Sequence, residues 1–180
     1  RRRRQRRERF RRFTAQIAMR QVPDRPFLLF GQMTTADTTR SPLGTESAWA
    51  STHMSREIAA DAADEGITGR WDTKDQELMA DRVERQVERF APGFRDRILA
   101  RSVLTPADLQ RRNANLIGGD INGGMMDLRQ VFARPVPRFT PYRMPLRGVY
   151  LCSASTPPGG AVHGMCGYHA ARAALADLRP

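Results

Sequence analysis

Apolar residues come in short bursts along this chain, separated by polar stretches rich in glycine and proline. Pro26-Phe27-Leu28-Leu29-Phe30-Gly31-Gln32 is a continuous apolar run opened by proline and closed after glycine, the pattern of a short buried strand. Glu46 to Met54 reads as a second strand. The Thr-, Asp-, Ser-, Pro- and Gly-rich stretch 34–45 between them is a loop across which the two strands can pair in one sheet. Residues 55–70 are polar and glycine-containing and read as a surface insertion.

Helical spacing is clearest over 73–90, where Met79, Val83, Val87 and Phe90 recur at intervals of four, four and three. Thr73 and Gln76 have the form of a capping box, and Asp75 and Glu77 near the start with Arg85 and Arg89 near the end suit the helix dipole. Ala91-Pro92-Gly93 stops the helix. Residues 98–104 read as a strand, and Thr105-Pro106 opens a short helix with proline at its first position. Gly118, Gly119, Gly123 and Gly124 surround Asp120-Ile121-Asn122, a density that suggests backbone turns or close approach to another surface. Residues 135–145 carry four prolines and form an irregular crossing. Residues 148–152 read as a strand, 153–160 as a Pro/Gly turn, and a helix runs from about 162 to 178.

Charge changes this picture at one end only. The chain of 180 residues has 30 basic and 19 acidic residues, but residues 1–12 hold nine Arg and one Glu, which leaves 21 basic and 18 acidic for the rest. The body is near neutral and the arginine run sets the charge. Clustered guanidiniums bind phosphate by displacing counterions from nucleic acid, yet no zinc, basic-zipper or RNA-recognition motif follows, so a solvated, disordered arm is the favoured reading of residues 1–16. All basic residues except Lys74 are Arg, which points to compositional bias. The longest apolar runs are too short to cross a bilayer, no secretory pattern follows the arginines, and two cysteines make no disulfide framework, so a cytoplasmic protein is expected.

The unit 148–178 carries the candidate chemistry. A strand that ends in a glycine turn and feeds a small-residue helix aims free backbone N–H groups at one point, where the helix dipole favours an anion. It is not a dinucleotide fingerprint, because no two glycines stand two apart, and Gly-x-x-x-x-Gly-Lys is absent. On physical grounds alone, tight packing is favoured over a ligand cradle as the reading of these glycines, by about two to one.

Gly148-Val149-Tyr150-Leu151-Cys152-Ser153-Ala154-Ser155-Thr156-Pro157-Pro158-Gly159-Gly160-Ala161-Val162-His163-Gly164 resembles the carboxy-terminal flavin-contact motif of the phytoene dehydrogenase-related flavoproteins, closest to the branch called pyridine nucleotide-disulfide oxidoreductase domain-containing proteins. Residues 26–32, 34–37, 91–96, 116–124 and Arg134-Pro135 also resemble that branch, so the likeness spans about residues 20–178. It implies an FAD-dependent oxidoreductase acting by hydride transfer on an apolar small molecule. Pro158, Gly159, Gly160, Val162, His163 and Gly164 match the segment that touches the flavin. Their backbone N–H groups would face its N1 and C2 carbonyl edge, and the helix end would favour negative charge there. Thr156-Pro157 stands where many relatives have His-Pro, and the family's amino-terminal dinucleotide-binding half has no counterpart.

The expected fold is α/β of the α+β kind. Residues 17–147 would form part of a mixed-sheet substrate domain, and 148–180 the last strand and helix of a Rossmann-like FAD-binding domain. The expected partners are a separate amino-terminal half or a second copy. The alternative is a non-catalytic remnant or interaction module whose arginine arm meets an acidic partner such as nucleic acid. No catalytic side chain is singled out. His53, His163 and His169 lack metal-ligand spacing, Cys152 and Cys166 form no Cys-x-x-Cys, and Ser153 and Ser155 lack a nucleophile elbow. Asp120 and Asn122 read as turn residues, and Met125, Met126, Met144 and Met165 as core filler or pocket lining.

Overall fold

The computed structural model describes residues 2–124, 130 and 133–179. Met125 and Met126 lie outside the described residues. The fold is α+β, and the chain divides into two compact units, Arg1–Thr105 and Pro106–Pro180.

The first unit begins with helix α1, Arg2–Ala18. This replaces the disordered arm expected over 1–16. Arginine is a good helix former, and neither glycine nor proline interrupts the segment. The far end of the helix is anchored: Phe13 and Gln16 are buried, and the Phe10 and Phe13 rings meet Phe27 with centroids 5.6 and 6.0 Å away. Strand β1, Gln21–Val22, lies parallel to β4, Ala60–Asp61, with Val22 opposite Asp61. Strand β2, Leu29–Gln32, pairs antiparallel with β3, Ala48–Ser51, with Phe30 opposite Ala50. The two runs therefore pair across the polar loop as their sequence suggests. β2 is not the buried strand its apolar run implied, because Leu29 and Phe30 are exposed. Two strands without a covering layer leave their faces open.

Val22, Ile67 and Met79 form the core of this unit, with Met54, Ile58, Trp71, Leu78 and Val83 packed around them. Residues 55–70 are therefore not a surface insertion: they supply β4, Ile58 and Ile67. The reason is Asp61, whose carboxylate accepts from the backbone N–H groups of Ala63, Glu65 and Ile67 and so folds the polar stretch into a turn. Asp61 also takes both Nη atoms of Arg82 at 2.7 and 2.9 Å. Arg82 is buried, and it bonds the Pro23 carbonyl and Glu65 as well.

Helix α2 is Thr73–Glu88, and its N-cap is Asp72, whose side chain accepts from Asp75 N–H. The Thr73 capping box is displaced by one residue because an Asp side chain caps at least as well as Thr. Met79 is buried, but Phe90 lies beyond the helix and is exposed. Residues 98–104, expected as a strand, find no ladder partner. They run along α2, where Gln76 donates to the Val103 carbonyl and Arg101 bonds Glu77, Asp81 and Glu84.

The second unit holds α3, Pro106–Arg112, and α4, Met165–Asp177. Pro106 takes the first helical position, as expected. Residues 148–152 do not form a strand. Tyr150 and Arg143 make a single antiparallel bridge, with Leu151 N–H on the Tyr142 carbonyl and Met144 N–H on the Val149 carbonyl. Pro145 follows and has no N–H with which to extend the ladder.

Candidate functional site

In the second unit the turn 153–164 delivers the chain to α4, and two anchors shape it. Thr156 is fully buried, and its hydroxyl and N–H both donate to the Ser153 carbonyl, at 2.8 and 2.9 Å. Thr156 is thus structural. Cys166, buried on the first turn of α4, lies with Sγ 3.5 Å from the Thr156 carbonyl and 3.4 Å from that of Gly159. The helix is thereby fastened beneath the turn. Tyr142 adds a bond from its hydroxyl to the Pro157 carbonyl at 3.0 Å and stacks on His169. Burial pushes the Tyr142 phenol upward, with Cys166 contributing next, so it remains a donor at neutral pH.

The glycine-dense segment 118–124 packs against this turn. A Cβ on Gly123 would lie 2.5 Å from Ser155 Oγ, and one on Gly160 would lie 3.0 Å from Asn122 Oδ1. The close approach read from the glycines is therefore an approach of one loop to the other. Asp120 accepts from the N–H groups of Asn122 and Gly124, which makes it a turn residue. Arg134, also buried, donates from Nη2 to the Asn122 carbonyl at 2.8 Å and braces the loop from behind.

The six sequence-predicted residues fall together on this turn and at the start of α4, but in different states. Gly159 is buried, and its N–H is spent on the Thr156 carbonyl at 2.8 Å. Pro158 has no N–H and is exposed. Val162 and His163 are exposed, and His163 Nδ1 accepts from Met165 N–H at 2.9 Å, which satisfies one donor at the helix start. Gly164 is the N-cap, at φ 66. No heavy atom lies within 4 Å of where a Cβ on Gly164 or Gly167 would sit. Among the described residues none accepts from the N–H groups of residues 160–164. An open, side-chain-poor helix start with unspent N–H groups fits an anionic or carbonyl edge of a flat ligand.

At the other end of α4, Asp177 accepts two bonds from Arg143, at 2.8 and 2.7 Å, and one from the Tyr150 hydroxyl at 2.9 Å. These partners, Arg143 first, hold its carboxyl down at about 2. Tyr142 and Asp177 were missed by reading the sequence, and Arg134 was noted with Pro135 only for its likeness, with no role. Arginines and aspartates are plentiful, and neither Tyr142 nor Asp177 belongs to a local pattern. Among the described residues no group of three or more His, Cys, Asp or Glu side chains that could hold a metal comes together. Among them, too, no helix is long and apolar enough to cross a membrane.

A stretch of 110 residues, 61% of this chain, is 44% identical to pyridine nucleotide-disulfide oxidoreductase domain-containing protein 2 of Mus musculus. The protein of the same name from Rattus norvegicus is also 44% identical over 110 residues. The match spans 19% of the length of each relative. No family model matches the chain, and no solved structure matches it.

Proposed function

We propose that this chain is the cofactor-contact portion of an FAD-dependent oxidoreductase of the phytoene dehydrogenase-related kind. The observation that carries the reading is the 44% identity to relatives named as oxidoreductase-domain proteins. The open start of α4 supports it. In this reading residues 17–147 contribute to a substrate-covering domain, and 148–180 form the flavin contact. The N–H groups of Gly160, Val162, His163 and Gly164 would hold the polar edge of the flavin. Pro158 and Gly159 shape the turn without donating. The partial positive charge at the start of α4 favours negative charge on that edge. FAD, when bound, supplies the hydride chemistry. Thr156, Cys166 and Tyr142 hold the turn in register, and Gly164 and Gly167 keep side chains out of the way. The substrate is an apolar small molecule. A dinucleotide-binding half, from a separate chain or a second copy, completes the cofactor site.

The test is the absorbance spectrum of the purified chain after FAD is added and the excess removed, alone and with a dinucleotide-binding half supplied. Flavin bands near about 375 and about 450 nm retained in either sample support the reading. Their absence from both refutes it.

A further inference from the structure

A second cluster of charge lies in the first unit. A cavity of about 270 Å³ is lined by Arg9 and Arg12 of α1 and by Arg25 of the loop between β1 and β2, with Gln5 and Phe13 in its wall. Its two carboxylates are Glu8 and Asp24, and Asp24 is engaged with Arg12 at 2.9 Å. Among the described residues no carboxylate pairs with Arg9 or Arg25. Three guanidiniums therefore meet two carboxylates, and the excess is one positive charge.

The cluster is built on rigid supports. Arg25 sits between Pro23 and Pro26, both fully buried, and the Pro23 carbonyl is bonded by buried Arg82 at 3.1 Å. Arg9 and Arg12 project from a helix pinned by Phe13 and Gln16. Holding like charges together costs energy that a bound anion returns, and planar guanidiniums match phosphoryl oxygens in pairs.

We infer that Arg9 and Arg25 form a binding site for the phosphoryl group of a small molecule, with Gln5 as an added amide donor. The excess positive charge favours an anion, and the cavity admits a phosphate or pyrophosphate group rather than a duplex. The site is independent of the proposed flavin contact and stands whether or not that reading survives.

Pyrophosphate titrated calorimetrically into the full chain, at constant ionic strength, tests this. Saturable binding at one site is expected. Arg9→Gln and Arg25→Gln should each weaken it about tenfold or more, as expected for loss of a charged hydrogen-bond partner, whereas Arg56→Gln, an exposed arginine elsewhere in the unit, should leave it unchanged. Circular dichroism verifies that each variant is folded. The absence of saturable heat, or equal weakening by Arg56→Gln, overturns the site. So does a thymidylate oligonucleotide that binds more tightly than pyrophosphate and is indifferent to Arg25→Gln, because that is the behaviour of a diffuse cationic surface.

Discussion

Replacing Asp75 with Asn tests the fold at the point where one carboxylate does most to shape a loop. Asp75 is almost completely buried on the first turn of α2. Its Oδ1 accepts from Thr68 N–H at 2.8 Å, and its Oδ2 accepts from Trp71 N–H and the Thr68 hydroxyl at 3.0 Å. Trp71 sits in the left-handed region, at φ 56, a conformation that a bulky residue adopts only when held. An Asn amide keeps one acceptor and turns an NH₂ toward donors on the other side. Hydrogen bonds to a charged group contribute roughly 1.5–3 kcal/mol each, and a stranded donor costs a similar amount. Solvent reaches part of this loop, so the expected loss is about 2 kcal/mol for Asp75→Asn and about 3–4 kcal/mol for Asp75→Ala. Both tryptophans, Trp49 and Trp71, lie in the first unit, so urea unfolding followed by tryptophan fluorescence reports that unit alone. The pH dependence adds an independent sign. Burial pushes the Asp75 carboxyl up, but the bonds from Thr68 and Trp71 outweigh it and hold the carboxyl below its ordinary value. Its stabilisation is therefore fully present above the unfolded-state value near 3.8 and is lost as pH falls through the lower folded value. The Asn variant should show a shallower acid limb. A variant within about 0.5 kcal/mol of the parent, or one with the parent's full acid dependence, refutes this account.

Three further outcomes are expected. Arg82→Met strands the carboxylate of Asp61, leaves Glu65 to Arg85 alone and should lower first-unit stability by about 3–5 kcal/mol in the same urea assay; an unmoved midpoint contradicts it. Gly123→Ala combines a positive φ of 65 with a Cβ 2.5 Å from Ser155 Oγ, so calorimetry should show the second unit weakened by about 1–3 kcal/mol. Asp177 should titrate at about 2 when followed by carboxyl NMR, and the Arg143 and Tyr150 contacts, intact above the ordinary carboxyl value of 3.8, should open as pH falls through about 2. Titration near 3.8 removes the clasp.

The sequence made legible what depends on neighbours in the chain. The β2–β3 pairing follows from two apolar runs flanking a turn-rich loop, α2 from its four-residue apolar spacing, and α3 from Thr105-Pro106. What escaped depends on distant partners. Residues 55–70 look like surface because Asp61, Asp64 and Glu65 are acidic, yet Arg82, far along the chain, neutralises two of them inside the fold. The arginine run looks unstructured because its anchors, Phe27 and Asp24, come after it. The strand at 148–152 failed because a strand is a relation between two segments, and only Arg143 stands opposite. At the candidate site the glycine turn and helix were legible, whereas the braces from Arg134, Tyr142 and Cys166 were not.

Arg82 bonds the Pro23 carbonyl ahead of the β2–β3 ribbon, Asp61 in β4 and Glu65 in the following turn, all from the middle of α2. None of these segments can leave without stranding a buried charge. Amide hydrogens of residues 21–22, 60–67 and 75–83 should therefore exchange with solvent as one cooperative block, at the free energy of opening the whole first unit. The exposed ribbon of β2 and β3, which Arg82 does not touch, should exchange earlier and on its own. In this unit a single guanidinium marks the border between the part that opens all at once and the part that breathes.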